Sequence, residues 1–309
     1  MASIQADSFH AQLRAVREAA RGIDVATLTI EQMRTASEAM MAMVGVMPDG
    51  VTVSETTAAG RPALWVDASA ADPTSVVLYL HGGAYIMNSP RSHARLTGAI
   101  GLAAGCRVLS LDYRLAPEHP FPAAVDDAVA AYRWLLAEGF DPSRLAISGD
   151  SAGGGLTVAT LVALREAGLA QPAAGVVLSP WTELEGVGES MTTKAESDLL
   201  IRHADMAHVA AMYLGGADAR SPLAAPIYAD LTGIAPLYIQ VGGDEVLLDD
   251  ATRLAVRASH AGVAVRLDVF PEMQHVFQAA VGMLPEADDA VARIGQHLRS
   301  AFATQLAGR

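Results

Sequence analysis

The sequence predicts a single doubly wound α/β domain. Three observations carry that expectation: short unbroken apolar runs recur along the chain, helix-length patterns alternate with the later ones, and the composition suits one large core. Of the 309 residues 51% are apolar and 18% charged, enough to bury a substantial interior as one unit. Strands are expected at 51–56, 63–66, 76–80, 107–111, 145–148, 175–178, 237–241 and 263–270. Helices are expected at about 91–104, 122–137, 152–167 and 246–261. Runs without polar alternation mark strands covered on both faces, so the eight-stranded sheet should be mostly parallel and flanked by helices. The last run differs. Val263, Val265, Leu267 and Val269 alternate with Arg266 and Asp268, the period-two pattern of a strand with one polar face near a sheet edge. Such an edge can pair with a second copy, so a homodimer through 263–270 and a monomer with a shielded edge both stand open.

Two segments fall outside the alternation. Residues 1 to about 45 carry helical patterns with Met33, Met40, Met41, Met43 and, just beyond, Met47; residues 181–220 contain a helical stretch around 201–214. Methionine adapts to irregular apolar surfaces, so these segments read either as a cap over a substrate pocket or as ordinary helix packing. No repeat, linker or low-complexity tract interrupts the single domain.

Charge narrows the function classes. A net charge of −13 and the lack of clustered Lys and Arg argue against nucleic acid or an anionic membrane as partner. The first ten residues lack the basic start and apolar stretch of a secretory leader, and no run reaches membrane-span length, so a cytoplasmic protein is expected. The one cysteine, Cys106, leaves no disulfide framework or cysteine-based zinc site and reads as buried filler. No metal or cofactor is called for.

The chemistry begins at Gly149-Asp150-Ser151-Ala152-Gly153, between the apolar run ending at Ile147 and a long helical pattern. A Gly-x-Ser-x-Gly match is weak alone, but strand, sharp turn and helix together form a nucleophile elbow. A serine needs a base, a group to orient that base, and donors for the oxyanion. Behind such an elbow the acid and then the histidine follow in chain order, each on a loop after a strand. Of the five histidines past Ser151, His203 and His208 lie in the second outlying segment, and His260 and His297 in helical patterns. His275 alone directly follows a strand and is the candidate base. The preceding strand runs into Gly242-Gly243-Asp244-Glu245, which makes Asp244 the preferred orienter; Asp249 and Asp250 are rivals, placed where a helix has begun and suited to capping. His81-Gly82-Gly83-Ala84-Tyr85 closes the third strand, so the N–H groups of Gly82 and Gly83 are expected to join that of Ala152 as oxyanion donors. His81 should hold this loop, Asp150 should accept local hydrogen bonds, and the Pro-rich 112–123 stretch should be structural.

Together His81-Gly82-Gly83, the 112–124 segment, Gly149 to Gly154, Asp244-Glu245-Val246-Leu247 and His275-Val276-Phe277 resemble, in order, the hormone-sensitive-lipase-like family of bacterial esterases. The likeness spans nearly the whole chain and is nearest to metagenomic and actinobacterial esterases and monoterpene ε-lactone hydrolases. It implies an α/β-hydrolase fold with a helical cap, the triad Ser151, Asp244 and His275, and no metal. The expected reaction is hydrolysis of short- to medium-chain carboxylic esters, small-molecule substrates, through an acyl-enzyme. A lactone hydrolase using the same triad is the alternative, and a non-catalytic small-molecule receptor on the same scaffold a distant one that retention of His275 disfavours. Ala84 stands where the family commonly has a third glycine. By resemblance such loops are associated with esters of bulky, including tertiary, alcohols.

Overall fold

The computed structural model describes residues 2–304. All eight expected strands are present: β1 Val51–Ala58, β2 Arg61–Ala68, β3 Asp72–Leu80, β4 Cys106–Leu111, β5 Leu145–Asp150, β6 Ala174–Leu178, β7 Leu237–Gly242 and β8 Val265–Phe270. They form one sheet in the order β1-β2-β4-β3-β5-β6-β7-β8. The β1–β2 and β2–β4 pairs are antiparallel and the others parallel. The helices are α1 Ile4–Ala19, α2 Ile30–Ala42, α3 Ala94–Ala104, α4 Ala123–Ala137, α5 Ala152–Glu166, α6 Ser190–Thr193, α7 His203–Leu214, α8 Leu248–His260 and α9 Pro285–Thr304. None of the described helices is long and apolar enough to cross a membrane.

The uninterrupted apolar character of β3 follows from its place at the sheet centre. Successive side chains point to opposite faces, and both faces are covered. Val76, Leu78 and Leu80 pack into a layer with Val125 and Tyr132 of α4 and Leu156 and Ala159 of α5. Val77 and Tyr79 face the other layer, with Ile100 of α3 and Ile294 and Leu298 of α9. Each such aliphatic side chain contributes about 1.5–3 kcal/mol through burial. Cys106, at the start of β4, is fully buried in this second layer, and burial pushes its thiol up to about 12, as suits a filler side chain.

At the sheet edge, β8 keeps its two-sided pattern. Val265 and Leu267 lean on the core, while Arg266 and Asp268 pair with each other and Asp268 accepts the Tyr238 hydroxyl at 2.7 Å. Ligands of doubly wound sheets sit at the end formed by the parallel strand C-termini. The loops after β3, β5, β6, β7 and β8 converge there.

The outlying segments sort the methionines that sequence alone leaves undecided. Met33 is core, packed with Ile86, Ala116 and Val209. Met40 and Met41 line the cavity above the sheet, whereas Met43 is 70% exposed. Segment 1–45 is bound to the domain by Arg34, which reaches the Ile86 carbonyl at 2.8 Å and the Glu118 carboxylate at 2.7 Å.

Candidate active site

At the end of β5 the chain turns into α5 through Ser151, whose φ of 53° and ψ of −120° are strained for a residue with a Cβ. The turn is held from both sides: Ser151 N–H donates to the Leu178 carbonyl at 2.8 Å, and Trp181 N–H donates to the Ser151 carbonyl at 2.9 Å. Its tightness also explains the flanking glycines. A Cβ on Gly149 would collide with the carbonyl oxygens of Gly153 and Leu80, and one on Gly153 with those of Leu80 and His81. Ser151 is thereby lifted to the floor of a cavity of about 260 Å³ that it shares with His275, Gly83, Ala84 and Trp181. The walls are mostly apolar. Phe9, Leu13 and Met41 come from the N-terminal segment, and Ile201, Met206 and Val209 from the second outlying segment.

His275 lies on the loop after β8, 11% exposed, and its Nδ1 is 2.7 Å from Glu245 Oε2. That contact corrects the expected orienter. Asp244 does not face His275; its Oδ1 takes the Lys194 ammonium at 3.2 Å on a side chain that is 32% exposed. The cause is the tight Gly242-Gly243 turn, fixed by Gly243 N–H on the Phe270 carbonyl and Asp244 N–H on the Met273 carbonyl. Asp244 leaves that turn toward solvent and Glu245 toward the interior, where it is fully buried. The missed signal lay in the residues that follow: Glu245 heads the buried run Glu245-Val246-Leu247, while Gly243 and Asp244 before it are only half-buried. Asp249 and Asp250 do serve as backbone acceptors: Asp249 takes Ser190 N–H at 2.9 Å, and Asp250 takes Thr182 and Glu183 N–H at 2.7 and 2.9 Å.

Burial disfavours a charged imidazole at 275, but the Glu245 carboxylate more than offsets it and raises the pKa above the ordinary 6.5. The hydrogen bond at Nδ1 sets the neutral tautomer: Nδ1–H donates to Glu245, and Nε2 carries the lone pair. No hydrogen bond joins the Ser151 hydroxyl to His275 among the described residues. Contacts of this kind tighten in complexes with substrate.

The oxyanion loop also departs from expectation at one position. Gly82 N–H donates to Asp150 Oδ1 at 3.0 Å, deep in the protein, and so is taken. Among the described residues no hydrogen bond occupies the N–H of Gly83, Ala84 or Ala152; the last is in the first turn of α5, where helical N–H groups lack intrahelical partners. Ala84, at φ 54°, thus replaces Gly82 in the set of free donors near Ser151. Asp150 does accept locally, from Tyr79 Oη at 2.8 Å and toward His93 Nε2 at 3.3 Å as well as from Gly82. Burial opposes its charge and His93 outweighs that, so its carboxyl stays below the usual range. His81 braces the loop, with Nδ1 2.8 Å from the Gly82 carbonyl and its ring stacked on Tyr113 at 4.3 Å. Burial and the neighbouring His93 lower its pKa to about 3, so it is neutral. No group of three or more His, Cys, Asp or Glu among the described residues is arranged to hold a metal ion.

An elbow serine, a carboxylate-held histidine and free backbone donors on one doubly wound sheet define the class of serine hydrolases with an α/β-hydrolase fold. Residues 77–279 match the family described as alpha/beta hydrolase fold. The chain is 49% identical to an acetyl-hydrolase of Streptomyces hygroscopicus over 259 residues, covering 84% of this chain and 85% of that protein. It is 36% identical to the putative acetyl-hydrolase LipR of Mycobacterium tuberculosis, with 82% of each covered. A crystal structure of an esterase from the bacterial hormone-sensitive lipase family superposes with a TM-score of 0.92 at 48% identity, covering 98% of this chain and 99% of that one. The chain therefore belongs to the α/β-hydrolase family and, within it, to the bacterial hormone-sensitive-lipase esterases. It is a carboxylic ester hydrolase.

Proposed function

We propose that the enzyme hydrolyses short- to medium-chain carboxylic esters through an acyl-enzyme on Ser151, with His275 as base, Glu245 as its orienter, and the N–H groups of Gly83, Ala84 and Ala152 as oxyanion donors. The observation that carries this reading is the 2.7 Å contact from Glu245 to His275 Nδ1, which leaves Nε2 as the basic nitrogen in the cavity of Ser151. His275 Nε2 takes the hydroxyl proton as Oγ attacks the ester carbonyl carbon. The oxyanion gathers the three N–H donors, the C–O bond to the alcohol breaks, and the alcohol leaves with the proton from His275. Water then repeats the sequence on the acyl-enzyme and releases the acid. A mostly apolar cavity of about 260 Å³ suits a modest acyl chain, and the segments 1–45 and 181–220 act as its cap. Turnover of p-nitrophenyl acetate, butyrate and octanoate by wild type and Ser151→Ala tests the proposal. Loss of turnover in the variant is expected; retained turnover would sink it.

A homodimer through β8 is the accompanying structural proposal. Its outer edge has no strand partner among the described residues, and Val269 is 43% exposed. Light scattering over a range of concentrations should give twice the chain mass; a monomer mass throughout would remove the proposal.

A further inference from the structure

We propose that Ser179 is a positioning residue: its hydroxyl locks the Glu245 carboxylate and the His275 loop into one unit. The inference rests on the triad reading above and deepens it. Ser179 follows β6 directly, is fully buried, and adopts φ 47°. That is the left-handed region, which glycine enters freely and a residue with a Cβ does not. A serine kept where glycine would be easier indicates that the side chain itself is needed.

The hydrogen bonds show what the side chain does. Ser179 Oγ donates to Glu245 Oε1 at 2.7 Å and accepts Val276 N–H at 3.1 Å. One hydroxyl thus ties the carboxylate to the residue next to the histidine. Gly242 N–H gives Oε1 its second donor at 2.6 Å, leaving Oε2 to face His275. With both donors on Oε1 and His275 on Oε2, the orientation of the carboxylate plane is fixed. Without the hydroxyl, Glu245 Oε1 retains one donor and the half-buried Val276 N–H loses its partner.

The test compares Ser179→Ala, Ser179→Gly and wild type, with Ser151→Ala and Glu245→Gln as controls. Active sites are counted by stoichiometric phosphorylation with p-nitrophenyl diethyl phosphate, so that misfolded protein does not enter kcat. Both Ser179 variants are expected to lose about ten- to hundredfold in kcat per titrated site on p-nitrophenyl butyrate, with KM within about twofold. Glycine, which relieves the backbone, should rescue nothing. Wild-type kcat in Ser179→Gly would show that only backbone conformation matters and overturn the proposal. So would a loss confined to the number of titratable sites, or one expressed in KM alone. Should Ser151→Ala or Glu245→Gln retain turnover, the triad reading fails first; if those two are inactive and Ser179→Gly is not, only the role of Ser179 falls.

Discussion

Replacing Glu245 with Gln should nearly abolish catalysis, whereas Asp244→Asn should hardly affect it. The two acids are adjacent in sequence but differ in every physical respect. Glu245 is fully buried and 2.7 Å from His275 Nδ1; Asp244 is about one-third exposed and paired with Lys194 at 3.2 Å. A glutamine amide cannot stabilise the imidazolium and can present N–H toward Nδ1, favouring the wrong tautomer. Isosteric amide replacement of a triad carboxylate costs about 10⁴-fold in kcat in a serine protease, and a loss of about 10³–10⁴-fold is expected here. A partly exposed ion pair such as Lys194–Asp244 is worth about 0–1 kcal/mol, so Asp244→Asn should cost less than about fivefold. Removing the Glu245 charge also leaves burial as the main influence on His275. Any residual activity of Glu245→Gln should therefore have its acidic limb at lower pH than wild type. Steady-state kinetics of both variants on p-nitrophenyl butyrate, normalised to titrated sites, measure all three quantities. An inactive Asp244→Asn beside an active Glu245→Gln would refute the argument from burial and distance.

Three further outcomes are expected. Wild-type kcat/KM should fall as pH drops through a His275 pKa that Glu245 holds above 6.5, because the protonated ring cannot accept the serine proton; a flat profile from about pH 5 to 8 would contradict this. Asp150→Asn removes the buried carboxylate that Tyr79, Gly82 and His93 share, and urea denaturation should show a loss of about 3–5 kcal/mol; an unchanged midpoint would show that this cluster does not stabilise the fold. Ala84→Gly removes a methyl that lines the cavity beside the donor loop and should change the ratio of tert-butyl to linear ester hydrolysis, whereas an unchanged ratio would exclude the methyl from the alcohol side.

Much of this architecture is legible in the residues because local patterns and tertiary burial agree. The runs at 76–80 and 145–148 lack polar alternation because both of their faces are covered, and 263–270 shows it because β8 is an edge. The elbow serine and His275 can be read from their places after strands. The carboxylate that faces His275 cannot, because choosing between neighbours requires the direction in which each side chain leaves a turn, set by Gly243 and Asp244 N–H bonding to the distant Phe270 and Met273 carbonyls. Gly82 is obscured for the same reason: its N–H is claimed by Asp150, a partner 68 positions away. Glycine spacing reveals a close backbone approach but not which donor remains free. The bridge from Ser179 to Glu245 and Val276 is likewise invisible locally, since it joins loops after three different strands.

Covalent capture of the intermediate tests the mechanism most directly. Enzyme quenched during turnover of p-nitrophenyl butyrate and examined by peptide mass spectrometry should carry one butyryl group, on the peptide containing Ser151, and Ser151→Ala should carry none. A butyryl group on another residue, with Ser151→Ala still turning over, would contradict the account.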